Sequence, residues 1–291
     1  PDSETPPEQS VTDRLSDAFQ QGIKVVIGSN RKPPRRFKTL LHGTWLGHPL
    51  HPAITDVPIG AWLLAGLFDL LWLAAPSQNQ WAARGAEWLV IVGIVGAVAA
   101  AVTGMADWSD TYGAERTVGL YHGALNTLAL ALFIISAVLR FTVDSGMSIP
   151  AAILGFVGIA AMLVAAYLGG DMVFGKGTGV NHTAWEAAPE DYESVLPVDQ
   201  LSERTLRRVM VADVPVVLLK ASETYYAIAA TCTHAGGPLD EGELQGEVVQ
   251  CPWHGSRFRM RDGKPITGPA TFAQPRYDVR VRDGMIQLRR R

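Results

Sequence analysis

Four long apolar runs leave this chain of 291 residues little choice of fold. They fall at about 53–75, 87–106, 120–141 and 149–169. At about 1.5 Å of rise per residue, each is long enough to cross about 30 Å of hydrocarbon as a helix. Lipid offers no partner to backbone N–H and C=O groups, so a crossing segment must satisfy them within itself. Trp62, Trp72, Trp88, Trp108 and Tyr121 lie mainly toward the ends or flanks of the runs, as interfacial anchors do. The second run is rich in Gly93, Gly96, Ala97, Ala99, Ala100 and Ala101, which permit close helix approach. Connections between the runs are short, so an up-and-down four-helix bundle over 42–174 is expected. A charged fraction of only 18% and a positive mean hydropathy favour this over a soluble helical core. A net charge of −3 gives no footing for a nucleic acid.

The segment 1–41 reads as a tail. Its first ten residues are Pro-, Glu- and Ser-rich and are expected to be disordered. From Val11 to Ile27, Val11, Leu15, Phe19 and Ile23 recur every four residues, the stripe of an amphipathic helix. A surface helix packing that stripe on its own protein is the first expectation, and a helix lying in the membrane surface the second. Lys24, Arg31, Lys32, Arg35, Arg36 and Lys38 follow, with Pro33-Pro34 among them. A basic run before a first span holds that end in the cytoplasm. Four crossings then return the chain to the same side of a bacterial cell membrane, so the N-terminus and everything after the last span are expected to be cytoplasmic.

Two boxes near the C-terminus carry chemistry: Cys232-Thr233-His234-Ala235-Gly236-Gly237-Pro238 and Cys251-Pro252-Trp253-His254-Gly255-Ser256. Each offers one thiolate and one imidazole. Two thiolates can hold one iron of a [2Fe-2S] cluster while two imidazoles hold the other. Zinc also takes Cys₂His₂ sets, although its loops usually supply paired Cys and then paired His. A disulfide between Cys232 and Cys251, the chain's two cysteines, would leave both histidines unexplained.

The two boxes resemble those of Rieske proteins, and the likeness extends over about 196–291, with short β-rich runs at 214–219, 225–229, 246–250, 277–281 and 285–288. The resemblance implies a small all-β Rieske domain after the bundle. It also implies that Cys232 and Cys251 hold the inner iron, that His234 and His254 hold the outer one, and that Gly268-Pro269-Ala270 forms a loop covering the cluster. Respiratory members carry an extra cysteine in each box, where Gly237 and Trp253 stand here, and a tyrosine where Phe258 stands. Fewer hydrogen-bond donors to the reduced cluster imply a potential in the lower half of the roughly −150 to +300 mV span of such centres. The pattern is closer to that of Rieske ferredoxins. His48-Pro49-Leu50-His51-Pro52, Val57-Pro58-Ile59-Gly60, Gly169-Gly170-Asp171-Met172-Val173 and Gly179-Val180 resemble a bacterial four-helix membrane domain that has no assigned reaction and is found alone or fused to a Rieske module.

The linker 175–195 is loosened by Gly175, Gly177 and Gly179 and made acidic by Glu186, Glu190, Asp191 and Glu193. Five histidines lie outside the boxes: His42, His48, His51, His122 and His182. With the N-terminus inside, all of them, and Asp56, Asp107 and Asp171, fall at the cytoplasmic end of the bundle. Ionisable groups are costly in a membrane, so this ring is a candidate site. His51 and His122, with His48 and His182, are candidates for a b-type haem or a quinone pocket. Interfacial hydrogen bonding alone is the third reading. Asp69 and Asn126 lie deeper and are expected to hydrogen-bond inside the bundle.

The whole chain reads as a membrane-bound carrier of single electrons between a soluble donor or quinol and a site at the cytoplasmic face of its membrane domain. Its expected partners are the lipid bilayer and a redox protein or quinone. The alternatives are an iron-dependent oxygenase using the His/Asp ring, or a redox-sensing subunit. The usual soluble oxygenase domain would need more than the roughly forty residues that follow the second box.

Overall fold

The computed structural model describes residues 10–28, 36–142, 148–187 and 190–291. It divides into a helical unit, made of the residues up to Val26 and His51–Lys176, and a β-rich unit made of Ile27–Leu50 and Gly177–Arg291. The segment read as a tail is thus shared between the two. Most of its first ten residues, and Arg31, Lys32, Pro33, Pro34 and Arg35, lie outside the described residues.

In the helical unit, α1 (Val11–Ile27) precedes four long apolar helices: α3 (Leu50–Ala74), α4 (Gln80–Trp108), α5 (Gly113–Thr142) and α6 (Ile149–Gly170). Helix α2 (Arg36–His42) belongs to the other unit. Helices α4 and α5 start well before their apolar runs. Hydropathy marks only the part suited to lipid, whereas Arg84, Glu115 and Arg116 continue the helices into polar ends. A π-helical turn, Asp171–Gly175, closes α6.

The bundle interior is a tandem repeat of a two-helix unit. Helices α3 and α5 run in one direction and meet through pairs that are each 71 residues apart in sequence. His51 faces His122, Trp62 stacks on Phe133 with ring centres 4.0 Å apart, and Asp69 binds Arg140. The burial pattern repeats as well: Pro58, Ala65 and Gly66 of α3 correspond to the buried Ala129, Ser136 and Ala137 of α5. Helices α4 and α6 serve these rungs equivalently. Gly93 lies against Trp62 and Gly158 against Phe133, where any side chain would collide with the ring. Glycine there lets a large aromatic sit directly on helix backbone.

Helix α1 reverses the first expectation for its stripe. Val11, Leu15 and Phe19 are exposed, while Ser16 and Gln20 are buried. Gln20 Nε2 donates to the carbonyls of Trp108 (2.8 Å) and Thr111 (3.1 Å), and Arg116 pairs with Asp13 and Asp17. The polar face therefore holds α1 on the α4–α5 connection, and of the stripe Val11, Leu15 and Phe19 are left outward while Ile23 is half-buried.

The β-rich unit has a six-stranded antiparallel sheet in the order β1 (Glu193–Pro197), β10 (Met285–Arg290), β9 (Arg276–Arg282), β4 (Thr224–Ala229), β3 (Val214–Ala221) and β2 (Leu206–Val211). A second sheet has the order β5 (Glu243–Gln245), β6 (Val248–Gln250), β7 (Arg257–Arg259) and β8 (Pro265–Thr267). Strand alternation builds two cores. Val216, Leu218, Ala227 and Ala229 face one, with Ile286 and Leu288. Val217, Leu219 and Ile228 face the other, which also holds Cys232, Cys251, Phe258 and Met260. A small β domain thus follows a helical bundle, as the sequence implies. The five β-rich runs each hold a strand, although 246–247 form the turn before β6, while β1, β2 and the three-residue β5, β7 and β8 are additional. Arg207 and Arg208 mask β2, and strands of three residues carry no readable period.

Candidate metal centre

Both boxes fold into the same tight loop. In the first, between β4 and β5, the Cys232 amide donates to the Gly237 carbonyl (2.8 Å) and the Gly236 amide to the Cys232 carbonyl (2.8 Å). In the second, between β6 and β7, Cys251 donates to Ser256 (2.8 Å) and Gly255 to Cys251 (3.1 Å). Gly236 and Gly255 occupy the same register at φ 77° and 75°, a left-handed conformation that costs glycine little. Each loop also turns two amides onto its own sulfur: those of His234 and Ala235 onto Cys232, and those of Trp253 and His254 onto Cys251. Such N–H donors favour the charged sulfur that a metal requires. The Cys232 thiol hydrogen-bonds the Cys251 sulfur, and with the two amides it lowers the Cys251 thiol to about 7 despite burial.

The four side chains form two pairs. Both sulfurs are buried and adjacent, while His234 and His254 are half-buried, with ring centres 4.8 Å apart and planes at 77°. A metal–imidazole bond of about 2 Å, plus roughly 1 Å from ring nitrogen to ring centre, puts two imidazoles on one tetrahedral ion about 5 Å apart. The histidine pair has that spacing. Among the described residues no three or more His, Cys, Asp or Glu are placed around one ion, whereas a structural zinc needs four. Two sulfurs and two imidazoles in separate pairs fit a two-iron cluster.

Residues outside the boxes fix them. Ser256 Oγ accepts from the Ala270 amide (3.0 Å), tying the second box to the loop at Gly268-Pro269-Ala270, whose Gly268-Pro269 bond is cis. Thr233 Oγ1 donates to the Phe272 carbonyl (3.0 Å). The buried Gln274 amide, turned to donate to the Thr231 carbonyl (3.0 Å), accepts from the Thr233 amide (2.8 Å). A side chain at Gly237 would fall 2.8 Å from Cys251 Sγ and 3.1 Å from the Trp253 ring. His42 of α2 is buried against Gly268, and Thr44 Oγ1 donates to the Ala270 carbonyl (3.3 Å). Gln274 escaped the sequence reading, and His42, expected in the histidine ring of the bundle, stands instead against the loop at Gly268. Neither has a spacing that ties it to the boxes, and only the fold brings them there.

The other histidines divide between the units. His51 and His122 come together in the helical unit, with ring centres 6.3 Å apart and planes at 87°. His48 and His182 belong to the β-rich unit and are exposed. His48 Nδ1 bonds the Pro49 carbonyl and His182 Nε2 the Gly177 carbonyl. Of the deeper polar residues, Asn126 bonds His122, and Asp69 takes Arg140, a partner the sequence reading passed over. The signal was a single arginine inside an apolar run.

Residues 47–182 match the family described as predicted membrane protein (DUF2231), and residues 191–278 match the Rieske [2Fe-2S] domain. Ferredoxin CarAc of Metapseudomonas resinovorans is 33% identical over 95 residues, which cover 32% of this chain and 89% of the ferredoxin. The 3-phenylpropionate/cinnamic acid dioxygenase ferredoxin subunit of Escherichia coli K12 is 32% identical over 91 residues, 31% of this chain and 85% of the subunit. Among solved structures, the ferredoxin of carbazole 1,9a-dioxygenase from Nocardioides aromaticivorans IC177 matches at 29% identity. It covers 34% of this chain and 98% of that one, with a TM-score of 0.33.

Proposed function

Since the chain belongs to the Rieske [2Fe-2S] family through its C-terminal domain and carries a DUF2231 membrane domain before it, we propose that it is a membrane-anchored one-electron carrier of the ferredoxin type. The observation that carries this reading is the pairing of two buried thiols with two half-exposed imidazoles on twin loops. Cys232 and Cys251 would hold the inner iron, and His234 and His254 the outer. When bound, the cluster supplies reversible one-electron transfer. The chain's own part is to set the potential and expose one edge. The amides at 234, 235, 253 and 254 stabilise the thiolates, and burial of both sulfurs keeps water from them. The half-buried imidazoles, beside the exposed Trp253, form the face on which a redox partner docks.

The related ferredoxins are components of dioxygenase systems by name. Here the donor is a soluble reductase or a quinol, and the Rieske domain faces the cytoplasm, a placement supported by the basic run before the first span. EPR of the reduced, detergent-purified chain tests the centre. A Rieske-type signal is expected, and its survival in His254→Ala would sink the ligand assignment. Anaerobic addition of a short-chain quinol, against a reductase with NADH, separates the donors by which one raises that signal. Protease applied to inside-out vesicles should release the Rieske domain, and full protection would overturn the sidedness.

A further inference from the structure

We propose that the helical unit binds one haem noncovalently, with its iron held between Nε2 of His51 and Nε2 of His122. This goes beyond the cluster reading and stands on observations in the other unit.

The first observation is how the two rings are held. His51 Nδ1 lies 2.8 Å from the Ala100 carbonyl of α4, and His122 Nδ1 lies 2.8 Å from the Ala165 carbonyl of α6. A carbonyl only accepts, so each Nδ1 carries the proton and each Nε2 keeps its lone pair. Metal-bound histidines are oriented in this way by a backbone carbonyl. One helical turn beyond each carbonyl stands a glycine against the ring. A side chain at Gly104 would come within 2.8 Å of His51, and one at Gly169 within 3.1 Å of His122.

The second is symmetry. His51, Ala100 and Gly104 are repeated by His122, Ala165 and Gly169 as part of the tandem repeat that also pairs Trp62 with Phe133. Two equivalent half-sites facing each other suit a ligand with two equivalent faces, and a porphyrin iron has them.

The third is distance. Bonds of about 2 Å to one ion from opposite sides put imidazole centres roughly 6 Å apart. The rings stand at 6.3 Å, against 4.8 Å for His234 and His254. A quinone bonded to both rings would have to hold them much further apart than this. No third His, Cys, Asp or Glu joins the pair among the described residues, so a bare ion would lack ligands that a porphyrin brings with it. Both cysteines lie in the other unit, which leaves noncovalent binding. Asn126 Nδ2 stands 3.1 Å from His122 Nε2 and 3.0 Å from the His122 carbonyl oxygen. Ligation would take the lone pair from Asn126 and leave it on the carbonyl.

The test uses the full chain, produced with a haem precursor and purified in detergent. The dithionite-reduced minus oxidised spectrum should show the sharp α and β bands of a six-coordinate low-spin haem, with one haem per chain by pyridine haemochrome. His51→Ala and His122→Ala should each lower bound haem by more than about tenfold, while His48→Ala keeps it and all three keep the Rieske EPR signal. His51→Met and His122→Met, which retain a ligand atom, should bind haem with shifted bands if the alanine variants fail to fold. Wild-type protein with a full EPR signal and no haem would overturn the proposal. Unchanged bands in both methionine variants would do the same. The EPR signal and the haem spectrum are read separately, so either reading can fail without the other.

Discussion

Asp69 and Arg140 meet side by side inside the bundle, with Nη1 2.9 Å from Oδ1 and Nη2 2.5 Å from Oδ2, and neither side chain is more than 2% exposed. Ser136, whose hydroxyl donates to the Ala151 carbonyl, accepts from Arg140 Nε (3.3 Å), so the guanidinium is bonded on both edges. Removing one partner strands the other charge in an apolar interior. Asp69→Ala or Arg140→Ala should therefore lower stability by about 3–5 kcal/mol, whereas Asp69→Leu with Arg140→Leu should recover most of it. Unfolding of the detergent-purified variants by SDS titration measures this. A double variant as unstable as the singles would refute the pairwise account.

The same pair shows how far the sequence could be read. Length and hydropathy locate four helices long and apolar enough to cross a membrane, and the boxes with Gly236 and Gly255 locate the candidate metal centre, because both signals are local. The 71-residue repeat is only partly legible in residue identities: His51 recurs as His122 and Trp62 as the aromatic Phe133, but Asp69 corresponds to Arg140. That last pair is complementary rather than alike, and packing is what exposes the correspondence. The histidine ring fails for a related reason. Equal depth along the chain says nothing of which helix faces which, and the fold joins His51 to His122 while leaving His48 and His182 in the other unit.

Burial raises the Glu186 carboxyl above its ordinary range, against the opposing effects of a bond from Thr231 and the nearby Arg290. A raised carboxyl binds its proton more tightly folded than unfolded, so its favourable contribution is complete only below the unfolded value and is lost as pH rises through the folded one. Glu186→Gln should thus raise the thermal midpoint of the Rieske domain at pH 7–8. The gain should vanish below about pH 4.5. Melting followed by the visible circular dichroism of the cluster measures it, and an equal gain at both pH values would contradict the assignment.

Phe258 is fully buried in the core that contains both cysteines. A hydroxyl added there that reaches the sulfurs would stabilise the more negative, reduced cluster. Phe258→Tyr should raise the midpoint potential by a modest part of the roughly −150 to +300 mV span. Ser256→Ala, by contrast, removes the acceptor for the Ala270 amide and should cost about 1–3 kcal/mol of domain stability. Redox titration and thermal melting of the two variants separate these effects. An unchanged potential in Phe258→Tyr would show that its hydroxyl does not reach the sulfurs.

Helix α1 shows Val11, Leu15 and Phe19 outward at 70%, 49% and 59% exposure, with Gln20 and the Asp13–Arg116–Asp17 pairs turned to the bundle. A surface helix of a water-soluble unit would be expected to turn the other way, burying its apolar stripe. The observed orientation suits a helix lying in the membrane surface, its polar face tied to the protein. Phe19→Trp in reconstituted vesicles should therefore emit at shorter wavelength than a tryptophan in water and be quenched by brominated lipid; the eight native tryptophans require the comparison to be made as a difference from wild type. Cutting the polar tie with Gln20→Ala should loosen α1 without releasing it from lipid, read as unchanged quenching with faster trypsin cleavage at Arg14 or Lys24. Water-like emission from position 19, unmoved by brominated lipid, would return α1 to an ordinary surface helix.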